Sequence, residues 1–330
     1  MGVVLLGVLL VACRRRQSVP GAPFRLGYFP NLTHAQALVG VDSGAFQTAL
    51  GATPLVARSF NAGPAAMEAL LAGALDACYV GAAPALIANA RAPGMLHIVS
   101  GSVSGGAGLF VRTARRPQDL LGKRVASPQL GNTQDVALRH WLRKMGLKAS
   151  NTTGPRNAVW VTPLSNPDIL SLFKRGDLEG AWVPEPWGAR LVAEAHGRLM
   201  LDERQEWPSG QFPTTVLVVT EHALKTRRAE VQRLVDAHVA LTDRARADPL
   251  AFSEAANRVL GKLTSHPLAP GVLAQATSRL SFQTDLLVPE LKQVAEHAAE
   301  LRYLPSAELG SLVDTSLLET RSALAPPDPP

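Results

Sequence analysis

The sequence predicts a two-lobed α/β protein with a ligand cleft between the lobes, and three observations carry that prediction. Strand-like and helix-like segments alternate in two separate series, each implying βαβ units on a mostly parallel sheet. At 330 residues the chain exceeds one compact domain and can bury two cores of roughly 100 to 200 residues each. A local pattern also recurs in both series: a helix ending at a glycine, an apolar strand, then a proline at the next helix.

Composition is that of a folded globular chain, with 46% hydrophobic and 18% charged residues. The net charge of +6 is spread out. Its densest clusters, Arg14 to Arg16 and residues 225–228, carry no interleaved aromatics, so no nucleic-acid partner is expected. A basic balance slightly favours an anionic solute.

Residues 1–23 read as a lipoprotein signal and linker. Leu10-Val11-Ala12-Cys13 has the small-residue pattern in which the thiol is acylated after cleavage, and the apolar run is too short to span a bilayer. Three Arg follow the run and no Lys or Arg precedes it, the reverse of the usual bias, which a start site further upstream would account for. With Cys13 lipidated, only Cys78 remains, so the mature chain has no internal disulfide. Ala77-Cys78-Tyr79-Val80 reads as a buried strand in which the thiol is a small hydrophobe. No metal site, cofactor motif or thiol nucleophile is indicated.

In order, residues 24–29 alternate as a strand and 33–41 read as a helix. Strand 55–60, helix 64–71, strand 77–80, helix 84–90 and strand 96–100 follow. The second series runs through strand 124–127, helix 133–145, strand 159–162, helix 168–174, strand 181–183 and helix 186–195. Residues 109–112 and 214–220 are strand-like without an attached helix and are the candidate hinge crossovers. Helices are expected at 221–246, 249–263, 271–280 and 288–302. The divisions are therefore lobe 1 at 24–110 with 215–320, lobe 2 at 111–214, and a disordered Pro-rich tail at 321–330.

The repeated pattern places the ligand. Gly73 and Gly176 fit helix C-caps, while Pro84 and Pro186 fit the first turn of the next helix. Each lobe thus presents a helix N-terminus beyond a strand's carboxyl end, where open α/β sheets bind ligands.

Five runs, Gly27-Tyr28-Phe29-Pro30-Asn31-Leu32-Thr33-His34-Ala35, Asn61-Ala62-Gly63-Pro64, Gly81-Ala82-Ala83-Pro84, Gly131-Asn132-Thr133-Gln134 and Pro184-Glu185-Pro186-Trp187, together resemble the nitrate, sulfonate and taurine group of ABC-transporter substrate-binding proteins. The resemblance covers nearly the whole chain after Cys13. It implies a type II periplasmic-binding fold, two βαβ lobes joined by two crossover strands, with the solute delivered unaltered to a membrane permease and its ATPase. It further implies a lipid-anchored monomer on the periplasmic or cell-surface side and an aliphatic sulfonate or taurine-like ligand, with nitrate, bicarbonate or an amino-pyrimidine as alternatives.

Candidate contacts follow. Asn31 or Thr33 caps the first helix and leaves N–H groups free for an anion, while His34 is a wall residue rather than a titrating base. Asn61 enters through the resemblance. Gly81, Ala82 and Ala83 carry no large side chains, so either a ligand reaches the backbone there or strand and helix pack closely. Gly131 permits close approach, and Asn132 and Thr133 either hold an oxyanion or simply cap their helix, with Asp135 completing a capping-box-like turn. Glu185 either meets a ligand amine or faces solvent. Tyr28, Trp182 and Trp187 either stack on a planar ligand or belong to the core. Gly105-Gly106 is no phosphate loop, because no Gly-Lys-Ser or Gly-Lys-Thr follows, and no Gly-x-Ser-x-Gly, His-Glu-x-x-His or Rossmann fingerprint occurs. The chain is therefore read as a non-enzyme, against the alternative of a cytoplasmic enzyme or sensor on the same fold.

Overall fold

The computed structural model describes residues 21–153 and 156–319. The expected acylation at Cys13 and the Pro-rich tail lie outside the described residues.

The first run comprises β1 (Phe24–Tyr28), a 3-10 turn (Leu32–His34), α1 (Ala35–Asp42), α2 (Ala45–Leu50), β2 (Leu55–Ser59), α3 (Gly63–Leu71), β3 (Ala77–Val80), α4 (Ala82–Arg91) and β4 (Leu96–Gly105). The chain then crosses to β5 (Ala107–Val111), β6 (Arg124–Ser127), α5 (Thr133–Lys144), β7 (Lys148–Ser150), β8 (Ala158–Pro163), α6 (Asn166–Arg175), β9 (Gly180–Pro184), α7 (Trp187–Ala195) and β10 (Arg198–Asp202). It returns with β11 (Pro213–Thr220), α8 (Glu221–Thr226), α9 (Arg228–Ala247), α10 (Pro249–Thr264), α11 (Pro270–Thr277), β12 (Leu280–Phe282) and α12 (Val288–Glu300). No described helix is long and apolar enough to cross a membrane.

Two six-stranded sheets result, in the orders β12-β4-β11-β3-β1-β2 and β10-β5-β9-β6-β8-β7. Both share one plan. A core of three parallel strands (β2, β1, β3 and β8, β6, β9, extended by β7 parallel to β8) is flanked by an inserted antiparallel strand: β11 in the first sheet and β5 in the second. Each inserted strand is the one the chain forms immediately after crossing from the other sheet. Sequence reading located these strands at 109–112 and 214–220, but the crossings themselves precede them, at Gly105–Gly106 and in residues 203–212.

The central strands are buried on both faces, as strands of a covered parallel sheet must be. Ala77 and Tyr79 of β3 enter one core while Cys78 and Val80 enter the opposite one. In β5, Leu109 and Val111 face one core and Phe110 the other. Tyr28 and Trp182, considered for stacking, are core residues, and the Trp182 indole N–H donates to buried Glu203 at 2.7 Å.

Local signals held in part. Gly176 closes α6 in a left-handed conformation with φ 87°, and Gly73 follows α3 with φ 70°. Pro84 lies in the first turn of α4, whereas Pro186 is the residue before α7 rather than within it. The single helix expected over 221–246 breaks at Arg227, whose φ of −137° is non-helical and whose guanidinium is held by Glu230, Asp76 and the Ala22 carbonyl. The helix expected over 271–280 stops at Thr277, because Leu280–Phe282 pairs with β4.

The first crossing is tight. Gly105 and Gly106 have φ 74° and 70°, and a Cβ on Gly105 would lie 2.6 Å from the Arg279 carbonyl oxygen. The second crossing is fastened to it: the Phe212 N–H donates to Ser104 Oγ at 3.0 Å, and the Thr214 hydroxyl donates to the Gly105 carbonyl. Gly105→Ala is expected to destabilise the protein by roughly 2 kcal/mol or more, combining left-handed backbone strain with a backbone clash. Urea denaturation measures it, and an unchanged midpoint would show that the crossing yields easily.

Candidate functional site

The carboxyl ends of β1, β3, β6 and β9 converge on a cavity of about 30 Å³ between the sheets. That is room for roughly two or three water-sized groups. Asn31, Thr33 and His34 border it from the loop after β1, Asn61 and Gly63 from the start of α3, and Gly81 and Pro84 from that of α4. The opposite side supplies Asn132 and Thr133 at α5 and Asn166 at the first residue of α6, while Thr214 and Thr215 of β11 close the back. Four helices thus point their N-termini at one small space, each carrying a partial positive charge there.

No lining residue is Lys, Arg, Asp or Glu. The only titratable wall group is His34, whose Nδ1 accepts from the Phe29 N–H at 3.4 Å. Burial pushes its pKa down to about 3, so the ring is neutral. Two cavity side chains carry polar atoms with no partner among the described residues, Asn166 Oδ1 and Thr215 Oγ1, although both residues are buried. Such atoms cost about 1–3 kcal/mol unless something is bonded to them. The hydroxyl can donate, and an amide can turn its NH₂ inward.

Direct contacts join the two sides. Gly81 has no Cβ, and one placed there would lie 2.3 Å from Thr133 Oγ1, which accepts from the Ala83 N–H at 3.4 Å. The Trp187 indole N–H donates to Asn31 Oδ1 at 2.9 Å. Glu185 is fully buried, pairs with Arg279 beside the first crossing, and accepts from the Ala189 N–H at 2.9 Å. Its loss of hydration raises its pKa, and Arg279 opposes that rise. Towards the far end of α5, His140 stacks on His297 of α12 at 3.5 Å, and in its first turn Asp135 accepts from the Tyr303 hydroxyl at 2.8 Å.

Two larger recesses adjoin the cavity and share lining residues with it. One, of about 430 Å³, shares Asn31, Asn61 and Asn166 with it and extends between α6, α7 and the end of α10. Another, of about 490 Å³, shares Asn61, Ala62 and Pro128.

Of the residues expected at the site, Asn31, Thr33, His34, Asn61, Gly81, Asn132 and Thr133 line the inner cavity. Ala82 and Ala83 form the first turn of α4 behind it, and Trp187 lines the recess of about 430 Å³. Gly131 borders a separate pocket of about 140 Å³ beside Tyr303, its N–H donating to Asp135 at 3.0 Å. Glu185 reaches neither solvent nor cavity, because Arg279 takes its carboxylate. Asn31 does not cap its helix through its side chain, which is turned to Trp187. Asn132 does cap α5, its Oδ1 accepting from Gln134 and Asp135 N–H at 2.9 and 3.2 Å. Asp135 makes no capping box. Its carboxylate is buried against Arg139 and Ser127, so it does not face an anion. Sequence reasoning missed Asn166, Thr214 and Thr215. Ser165-Asn166-Pro167-Asp168 carried a usable signal, a helix start after an apolar strand, like the other three.

Comparison with known proteins gives a consistent picture. A profile of the NMT1-like family matches residues 17–260. The taurine-binding periplasmic protein of Escherichia coli is 29% identical over 167 residues, 49% of this chain and 48% of that one. The chain thus spans about half the length of that curated relative. The alkanesulfonate-binding protein SsuA from Xanthomonas axonopodis pv. citri, solved with MOPS, superposes with a TM-score of 0.73 at 20% identity, over 91% of this chain and all of that one. The periplasmic nitrate-binding protein NrtA from Synechocystis PCC 6803 gives 0.76 at 13% identity, over 92% and 89%. The desulfurization enzyme DszB gives 0.64 at 20% identity, over 91% and 99%. These likenesses establish the periplasmic-binding fold.

Buried neutral histidines make the fold acid-sensitive. Desolvation holds His34 near pKa 3 and His238 near 4, whereas in the unfolded chain both titrate near 6.5. Their folded pKa values are depressed, so below pH 6.5 the unfolded state binds protons that the folded state refuses. Stability is present above that pH and lost as pH falls. Denaturation at pH 7 and pH 5 should differ by about 4 kcal/mol from these two groups, and His238→Gln should remove about half of the difference.

Proposed function

This chain belongs to the NMT1-like family, and from that premise we propose that it is the solute-binding component of an importer, capturing a small oxyanion without altering it. The observation that carries the reading is the inner cavity: four helix N-termini and neutral side-chain donors, divided between two sheets, around a space that fits the three oxygens of a sulfonate or nitrate. An ammonium ion or an acidic metal site would need carboxylates that the lining lacks.

The energetics suffice. Hydrogen bonds to a charged group contribute about 1.5–3 kcal/mol each and a helix terminus about 0.3–2 kcal/mol. Three or four donors reach the roughly 8 kcal/mol of micromolar binding. Because donors come from both sides, an anion favours the closed arrangement over an open one. We take the moving units to be residues 24–110 with 215–320, and 111–214, and the reader of closure to be a membrane permease with its ATPase. The mature protein would begin at an acylated Cys13 and act as an anchored monomer on the outer side of the membrane.

A catalytic reading is weaker, although a desulfurization enzyme shares the fold. Cys78 is buried in β3 and burial raises its thiol pKa, so it supplies no thiolate to the cleft. His34 stays neutral with the Phe29 amide on its ring nitrogen, and no cysteine or serine lines the cavity with it.

Methanesulfonate, nitrate and bicarbonate test the reading by calorimetric titration. At least one should bind and raise the melting temperature without being consumed, whereas product formation or silence from all three would overturn it. Thr133→Ala should weaken the binding anion by about 1–2 kcal/mol. Since Asn132, not Thr133, caps α5, global stability should barely change.

A further inference from the structure

The buried stripe of α5 belongs to the core of the second sheet and that of α12 to the core of the first, yet the two helices touch across the gap. His140 and His297 stack with ring centroids 3.5 Å apart and planes 13° from parallel. On either side of the stack, the Arg143 guanidinium donates to the Glu300 carbonyl at 3.1 Å and the Tyr303 hydroxyl to Asp135 at 2.8 Å. Asp135 also accepts from the Gly131 N–H, which ties this seam to the loop that opens α5 at the cavity.

The surroundings of the two rings decide how they respond to acid. Near His140 lie the Glu300 carboxylate, 3.3 Å from its Nδ1, Lys144 on its own helix, and Glu206 in the second crossing, which Lys144 engages at 2.6 Å. His297 faces His140, Lys144 and the Trp207 ring, whose centroid is 5.6 Å away. Behind Trp207, burial pushes the Glu203 carboxyl up to about 8, so it is protonated and uncharged in mild acid. The charge on α4, which packs on both helices, is Arg91, its last residue.

Desolvation lowers the pKa of both rings, that of His297 to about 4. Lys144 opposes a proton on either ring, and a charge on His140 opposes one on His297; Glu300 and Glu206 favour a proton on His140 without reversing the shift. Once the sheets part, water reaches both rings and they regain ordinary values near 6.5. The parted state therefore binds protons that the joined state refuses. The contact is fully present above pH 6.5 and weakens as pH falls.

We propose that the stacked His140 and His297 form an acid-released latch, which holds the two sheets together in the ligand-free chain at neutral pH and lets them separate in mild acid. The latch needs no ligand, so it stands or falls apart from the oxyanion reading. For His297 alone, a change from about 4 to 6.5 shifts the joined-to-parted ratio about tenfold between pH 7.5 and pH 5.5, and His140 adds in the same direction.

The test is hydrogen exchange of the Trp187 indole N–H, which bonds Asn31 Oδ1 across the gap, with the backbone amides of β11 as the measure of global unfolding. Corrected for intrinsic exchange, indole protection should fall about tenfold from pH 7.5 to pH 5.5 while the β11 amides stay better protected. His140→Phe/His297→Phe keeps two rings without a titrating nitrogen and should abolish most of that fall; His297→Gln should also reduce it. His34 and His266, which border the gap as well, are intact in these variants, so any acid response of theirs persists and is told apart. An equal fall in wild type and variants, indole exchange that merely follows the β11 amides, or an indole unprotected at pH 7.5 would overturn the latch.

Discussion

Everything in this molecule depends on two chain crossings held side by side. Gly105 and Gly106 turn the chain from one sheet into the other, and the returning segment is pinned to the same spot by Ser104, Thr214 and the Gly105 carbonyl. With both connections in one place, the carboxyl ends of the two sheets face each other across a single gap. Beside those crossings Arg279 meets Glu185. Removing either partner would strand a buried charge, a far larger penalty than the pair's net contribution.

The cleft is neutral because its charges are satisfied elsewhere. Asp76 is held by Arg25 and Arg227 and Asp135 by Arg139, each away from the cavity. What remains in the gap are amides, hydroxyls and helix termini. Such groups recognise an anion by geometry and by partial charge, without the hydration penalty that a buried lysine would bring.

Much of this was legible in the sequence, and the reason is local. Gly73 and Gly176 end helices by their own conformational freedom, and the apolar strands after them declare burial by composition, so strand ends and helix starts could be placed within a few residues. Seven of the twelve expected contact residues therefore line the cavity. What could not be read was pairing over distance. Nothing near Glu185 announces Arg279, ninety-four positions away, and nothing near Asn31 announces Trp187. The short strands β10 and β12 and the break at Arg227 likewise owe their existence to neighbours remote in the chain.

The interleaving of strands has a consequence for how the chain comes together. The second sheet is drawn wholly from residues 107–202, one uninterrupted stretch. The first sheet cannot be completed until β11 arrives to fill the place between β3 and β4, and β12 later still. As the polypeptide emerges from its N-terminus, the earlier half must wait with bare strand edges while the later half finishes. Such edges invite pairing with other chains. The nascent chain is therefore most vulnerable to aggregation, and most in need of a holding chaperone, until about two-thirds of it has been made.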